Sequence, residues 1–240
     1  MTAELPVAVA VGEHPVTISP GMVRDMFLLS DLRQTMDTVA GLAANIFACQ
    51  AAVLRVDHGR MICGAATHPA VQRAGELQID CGEGPSVDAI VDRRHSVVDD
   101  LRVEGRWRFW APQAARLGFR SVVSVSLTEH NIAGVVNLYS RRPSTFQAAD
   151  LATAEVFAQH AALALAVANE RVHLREAVAA RTLIGQAQGV LMQRYQLDAD
   201  QAFTVLRRYS SHSNRRLRHV AQDVVRDRQL PTPPLAMEPS

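Results

Sequence analysis

Residues Ala180–Val225 read ARTLIGQAQGVLMQRYQLDADQAFTVLRRYSSHSNRRLRHVAQDVV, and the order of residue types predicts three short helices. In the first, Leu183, Ile184, Ala187, Val190 and Leu191 recur at helical spacing, while Arg181, Gly185, Gln188, Gly189 and Met192 fall on a different face. A glycine inside a helix costs about 1 kcal/mol relative to alanine. Two of them on one face imply a close neighbour there, either another helix or a polymer backbone. Asp198 and Gln201 form a D-x-x-Q variant of the capping box, with Leu197 and Ala202 at the staple positions. The second helix is expected to bury Ala202, Phe203, Leu206 and Tyr209. The third, opened by Ser213 or Asn214, is expected to bury Leu217, Val220, Ala221, Val224 and Val225 and to end at Pro231. Helices this short bury little surface alone, so the bundle should lean on a neighbouring helix or a second copy.

Charge separates this segment from the rest. Residues 1–170 hold 14 Arg against 18 Asp and Glu, a net of −4, whereas residues 171–228 hold 11 Arg against 5 acids, a net of +6. The overall formal charge of +1 hides a cationic module attached to an acidic one, which suits nucleic acid at one end. All 25 basic residues are arginine. Arginine makes bidentate phosphate contacts and stacks on bases, although a GC-rich genome accounts for the missing lysine as well.

The succession Arg181, Ile184, Ala187, Gly189, Leu191, Met192, then Ala202, Phe203, Leu206, then Leu217, Val220, Ala221 resembles the ANTAR domain. That resemblance implies a three-helix RNA-binding module that grips paired hairpins in nascent transcripts, prevents transcription termination and acts as a homodimer. Gln188 stands where many members carry lysine. The RNA-contact candidates are Arg181, Gly185, Gln188, Gly189, Met192, Arg194, Asn214, Arg215, Arg216 and Arg218, with Arg207 and Arg208 beside them. Arg181 ranks first because it shares a face with the glycines. Asn214 to Arg218 follow, since a helix N-terminus with adjacent cations attracts anions. Tyr195 and Tyr209 are assigned to the core, with base stacking as their alternative. Whether the Arg181 face meets RNA or a dimer partner is left open by the sequence.

Upstream, Met22 to Phe47 carries helical spacing through Leu28, Leu32, Val39, Leu42 and Ile46. Ala51–Val56 and Met61–Thr67 flank Asp57, His58 and Gly59 as a hairpin; Ser121–Leu127 and Ile132–Ser140 flank Glu129–Asn131 in the same way. These features predict an α+β fold, an antiparallel sheet flanked by helices. The G-E-G-P at Gly82–Pro85, a helix to about Val91, the strand-like Ser96–Val98, Asp99, the Arg106-Trp107 pair and Gly118-Phe119-Arg120-Ser121 resemble a GAF domain. The resemblance implies a sensory domain with a small-molecule pocket between sheet and helices, the ligand and any cofactor being unassigned. Pocket candidates are Trp107, Phe109 and Trp110 in the long connection before the last hairpin, with closure of the core as their alternative role.

The domain plan is therefore a flexible N-terminus at 1–20, a GAF-like domain at 21–168, an ANTAR domain at 169–230 and a flexible tail at 231–240, both ends being proline-rich. Ser144 and Gln147 suggest a helix start. Leu151, Ala154, Ala158, Ala161, Leu165, Ala168 and Val172 then continue at three-four spacing, so one helix is expected to join the modules. Cys49, Cys63 and Cys81 lack metal-ligand spacing, and no metal site is expected. No signal peptide or membrane-length apolar run is read, so a cytoplasmic, membrane-free regulator without enzymatic activity is expected. The alternatives are a GAF-linked DNA-binding transcription factor, a thiol redox sensor, or a free methionine sulfoxide reductase, an enzyme class that resembles GAF domains.

Overall fold

The computed structural model describes residues 18–29, 31–127 and 133–230. Residues 1–17 of the tail expected at 1–20, the tail expected at 231–240 and the turn at Glu129–Asn131 lie outside those residues, whereas Pro20 opens a helix. Contacts divide the chain into two compact units between Arg171 and Val172.

The first unit contains α1 (Pro20–Leu28), α2 (Leu32–Ile46), β1 (Gln50–Asp57), β2 (Arg60–Ala66), α3 (Pro69–Cys81), α4 (Pro85–Asp92), β3 (Ser96–Val98), α5 (Trp110–Arg116), β4 (Ser121–Ser126) and β5 (Gly134–Ser140). It also takes in the first half of α6 (Ala148–Tyr195). The strands form one antiparallel sheet in the order β2-β1-β5-β4-β3. His58 and Gly59 both have positive φ, 47° and 77°, the backbone of a tight primed turn between β1 and β2.

Alternation along the strands feeds two cores. Val53, Val123, Val125, Val136 and Leu138 face α1, α2 and α6, packing on Met26, Met36, Val39 and Phe157. Leu54, Val122 and Tyr139 face the other way, onto α3 and α5 through Val71, Leu77, Trp107 and Trp110. The α+β expectation holds, with helices on both faces of the sheet.

Three readings change. The run expected as one helix from Met22 to Phe47 is two helices starting at Pro20. Leu29 is extended (φ −82°, ψ 143°), and Asp31 restarts the chain by accepting a bond from the Gln34 amide at 3.0 Å. Second, α3 was not expected; its Gly75 lets the helix approach the sheet so closely that an added Cβ would lie 3.1 Å from Leu54 Cδ1. Third, the connection before the last hairpin contains α5. Its first amides are capped from a distance, Glu83 Oε1 accepting from Phe109 N at 2.6 Å and Trp110 N at 2.9 Å.

The second unit comprises the rest of α6, α7 (Ala199–His212) and α8 (Leu217–Asp227) around fully buried Ala187, Leu191, Ala202, Leu206, Val220, Ala221 and Val224. As expected, α6 is one continuous helix of 48 residues. The expected capping box is complete: Gln201 N donates to Asp198 Oδ1 at 2.7 Å, and Asp198 N donates to Gln201 Oε1 at 3.1 Å. Phe203 departs from expectation. It lies one residue beyond Ala202 around the helix, which swings it off the buried stripe, and 38% of it is exposed. The third helix begins at Leu217 with Arg216 at its cap, not at Ser213 or Asn214. Asn214 adopts a left-handed turn conformation instead (φ 50°), and Arg228 ends the helix in the same conformation before Pro231.

Candidate nucleic-acid interface and sensory interior

The face that the glycine spacing singles out exists in the second unit. Arg181, Gly185, Gly189 and Met192 are exposed on α6, and nothing lies within 4 Å of where a Cβ would stand at either glycine. Among the described residues, then, no neighbour uses the missing side chains. Gln188 is half-buried, and its Nε2 donates to Ala199 O at 3.0 Å, so it ties α6 to the start of α7. Arg194 is exposed and stands 5.9 Å from the Tyr195 ring. Tyr195 is 45% exposed, contrary to its assignment to the core, whereas Tyr209 does pack on the bundle.

The candidates around α8 separate. Arg215 Nη2 is committed to Asp223 Oδ2 at 2.6 Å, and Ser210 Oγ donates to Arg215 O at 2.6 Å, closing the turn between α7 and α8. Asn214 and Arg216 are exposed in that turn. Arg218 lines a cleft of about 340 Å³ with Leu183, His219 and Gln222. The structure thus brings Arg181, the glycines, Gln188 and Met192 onto one surface and leaves the α8 cations on the turn and the cleft.

In the first unit the pocket candidates split. Trp107 and Trp110 are buried and pack edge to face with centroids 5.6 Å apart. Their indole N–H groups donate to Asp88 Oδ2 at 3.2 Å and Ala74 O at 3.0 Å. Phe109 is 70% exposed. The G-E-G-P turn is a scaffold for this layer. Gly84 (φ 138°) leaves room for Gln78, whose Oε1 would lie 2.5 Å from a Cβ there and accepts from Ser86 N at 2.7 Å.

Sequence reading missed the buried polar cluster beneath that turn. Gln78 Nε2 donates to Tyr139 OH at 3.1 Å, and Asn137 Oδ1 accepts from Ser86 Oγ at 2.8 Å and from Ser124 Oγ. Asn137 Nδ2 is buried without a hydrogen-bond partner among the described residues. The available signal was polar residues at core-facing strand positions in SVVSVS and GVVNLYS. Beside α4 lies an open cleft of about 380 Å³, lined by Asp88, Asp92, Arg94, His95 and Arg106 among others.

Cys49 and Cys63 have little thiolate character. Burial pushes the Cys49 thiol up to about 12; burial and then the nearby Glu76 push Cys63 up to about 11. Among the described residues no group of three or more His, Cys, Asp or Glu is placed to hold a metal ion. One helix among them, α6, is long and apolar enough by composition to cross a membrane, and 44% of its apolar window is buried inside the fold.

A GAF-domain family model matches residues 30–166, and an ANTAR-domain model matches residues 172–225. The chain is a GAF–ANTAR protein. No curated protein matches this GAF–ANTAR chain. Among solved structures, the free methionine-R-sulfoxide reductase of Neisseria meningitidis, determined with its substrate, aligns with a TM-score of 0.52 at 16% identity. The alignment covers 63% of this chain and 87% of that one. The GAF domain of an Acinetobacter phosphoenolpyruvate-protein phosphotransferase aligns at 0.51 and 14% identity, covering 62% and 91%. At these identities the likeness is one of fold alone. The two domains together place the chain among sensor-linked antitermination regulators.

Proposed function

We propose that this GAF–ANTAR protein is a signal-responsive regulator that binds paired hairpins in nascent mRNA and thereby suppresses transcription termination. The observation that carries this reading is the bare face of α6. Two glycines without a neighbour within 4 Å among the described residues, flanked by exposed Arg181 and Met192, leave a low, cationic surface within the segment 171–228, whose net charge is +6. Such a surface suits close approach of a nucleic-acid backbone.

The GAF unit supplies the signal, through a small molecule held against its sheet, and the protein works in the cytoplasm as a homodimer. Coupling runs through α6, which belongs to both units, so a ligand acts only as far as it binds two arrangements of that helix with different affinity. The reductase alternative is disfavoured at Cys49 and Cys63, whose thiols burial holds protonated at neutral pH.

Transcription in vitro through a terminator preceded by two hairpins tests the reading. Added protein is expected to raise read-through, and deletion of the hairpins to abolish the effect. Read-through unchanged by the protein on any hairpin template would refute it.

A further inference from the structure

Trp107, Trp110 and Tyr139 fill the layer between the sheet and the helices α3 and α5. Beside the edge strand β3, in contrast, lies the cleft of about 380 Å³ walled by Asp88, Asp92, Arg94, His95 and Arg106. Its size falls within the range of about 300–1,000 Å³ that small-molecule sites occupy. Two of its charges are not spent on the fold: Asp92 and Arg94 are exposed, and neither has a hydrogen-bond or ion-pair partner among the described residues. Arg106, by comparison, is committed to Glu104 through Nε at 3.0 Å and Nη2 at 2.6 Å. Asp92 is also badly placed for its own helix. It ends α4, where backbone carbonyls already gather negative charge, and no basic residue stands in that last turn. Asp88 lies one turn before it on the same side, and like charges at that spacing repel. A cation in the cleft offsets both penalties.

The lining stays polar inward. Ser96 lines the cleft and pairs with Ser124 across the sheet, which pairs with Asn137, so the three side chains share one face. Ser124 Oγ donates to Asn137 Oδ1, and the row ends at the Asn137 Nδ2 that has no partner among the described residues. An occupant of the cleft therefore meets hydroxyl and amide groups behind the charges.

Resting on the sensory part of the reading above, we infer that this cleft binds a free α-amino acid, with Arg94 holding its carboxylate and Asp92 and Asp88 its ammonium group. The opposed charges select this class. A phosphate ester would face two aspartates, and a simple amine would leave the Arg94 guanidinium unmatched. Asp88 is already oriented for the task, its Oδ2 accepting from Trp107 Nε1 at 3.2 Å. The occupant is also linked to the helix that leaves the sensory unit: His95, a wall of the cleft, has its Nδ1 2.6 Å from Glu155 Oε1 of α6.

The test is calorimetric titration of the full chain with the common L-amino acids, one at a time, without RNA. Saturable binding of at least one is expected, and Asp92→Asn and Arg94→Gln should each weaken it by about tenfold or more. Both side chains are exposed and unpaired, so these variants should melt with the parent chain. The amide of the bound amino acid, which lacks the carboxylate, should bind the parent chain more weakly than the acid does, yet bind Arg94→Gln as well as it binds the parent. The N-acetyl form, which lacks the ammonium, should behave in the same way toward Asp92→Asn. Amide hydrogen exchange around Glu155 should change when the amino acid binds the parent chain and stay unchanged in Glu155→Ala, which leaves the cleft walls intact. Absence of binding by every amino acid, or binding that survives both charge substitutions undiminished, would overturn the assignment. Exchange around Glu155 that ignores the bound amino acid in the parent chain would overturn the link to α6. Because the heat is read without RNA, failure here leaves the hairpin reading standing, and failure of the read-through assay leaves the cleft standing.

Discussion

Replacing Gly185 and Gly189 with alanine should move stability and function in opposite directions. Both glycines sit inside α6, and neither added methyl would meet an atom within 4 Å. No native contact is lost and no clash arises, so the effect on the fold reduces to helix propensity, a gain of about 1 kcal/mol for each substitution. For a bundle of this size each kcal/mol raises Tm by about 4–8 °C. Thermal melts and urea titrations of the full chain should therefore show the unfolding of the ANTAR unit shifted upward. Each methyl nevertheless raises the floor on which RNA is held to rest, and anisotropy titration should show affinity for hairpin RNA falling by about tenfold or more, equivalent to about 1.4 kcal/mol. A double variant that is more stable and binds RNA like the parent would refute the use assigned to this face. Loss of stability would refute the premise that the face is bare within the chain.

Gly84→Ala should destabilise the GAF unit by about 2 kcal/mol or more, since it combines a φ of 138° with a Cβ 2.5 Å from Gln78 Oε1; the urea midpoint reads this directly. Leu191→Ala removes a fully buried side chain at the centre of the small core and should cost about 2–5 kcal/mol, melting the second unit first by circular dichroism. Asp100 is held down to about 2, chiefly by the hydrogen bond from the Arg120 guanidinium. A depressed carboxylate stabilises the fold above its ordinary pKa near 4 and loses that contribution as the pH falls toward about 2. The difference in urea midpoint between the parent chain and Asp100→Asn should thus be full at neutral pH and vanish across that window.

Much of the architecture was legible because its signals are local. Asp57-His58-Gly59 marks a turn whatever surrounds it, Asp198 and Gln201 close a box within one helical turn, and Pro85 of the G-E-G-P turn stands at a helix start. What escaped depends on distant partners. The amides of α5 are satisfied by Glu83, 26 and 27 residues away, so nothing near Trp110 announces a helix. In α3, Gly75 and the buried Gln78 break the apolar period, and their reasons lie in Leu54 of the sheet and in Tyr139. Phe203 misled for a related cause: an aromatic residue next to a buried alanine reads as core until the neighbouring helix shows which flank is covered. At the candidate interface the glycine spacing picked out residues that share one side of α6, whereas the expected start of the third helix at Ser213 or Asn214 was displaced because turn bonds from Ser210 and the Arg215–Asp223 pair claim that segment.

The most direct measurement compares a two-hairpin RNA with a DNA duplex of equal length in equilibrium binding to the full chain over a range of salt concentrations. A specific RNA interface predicts tighter binding to the RNA at every salt concentration, with a preference that persists as the electrostatic part of both affinities falls log-linearly. Equal affinities with equal salt slopes would contradict it and leave only a cationic helical bundle attached to a sensory domain.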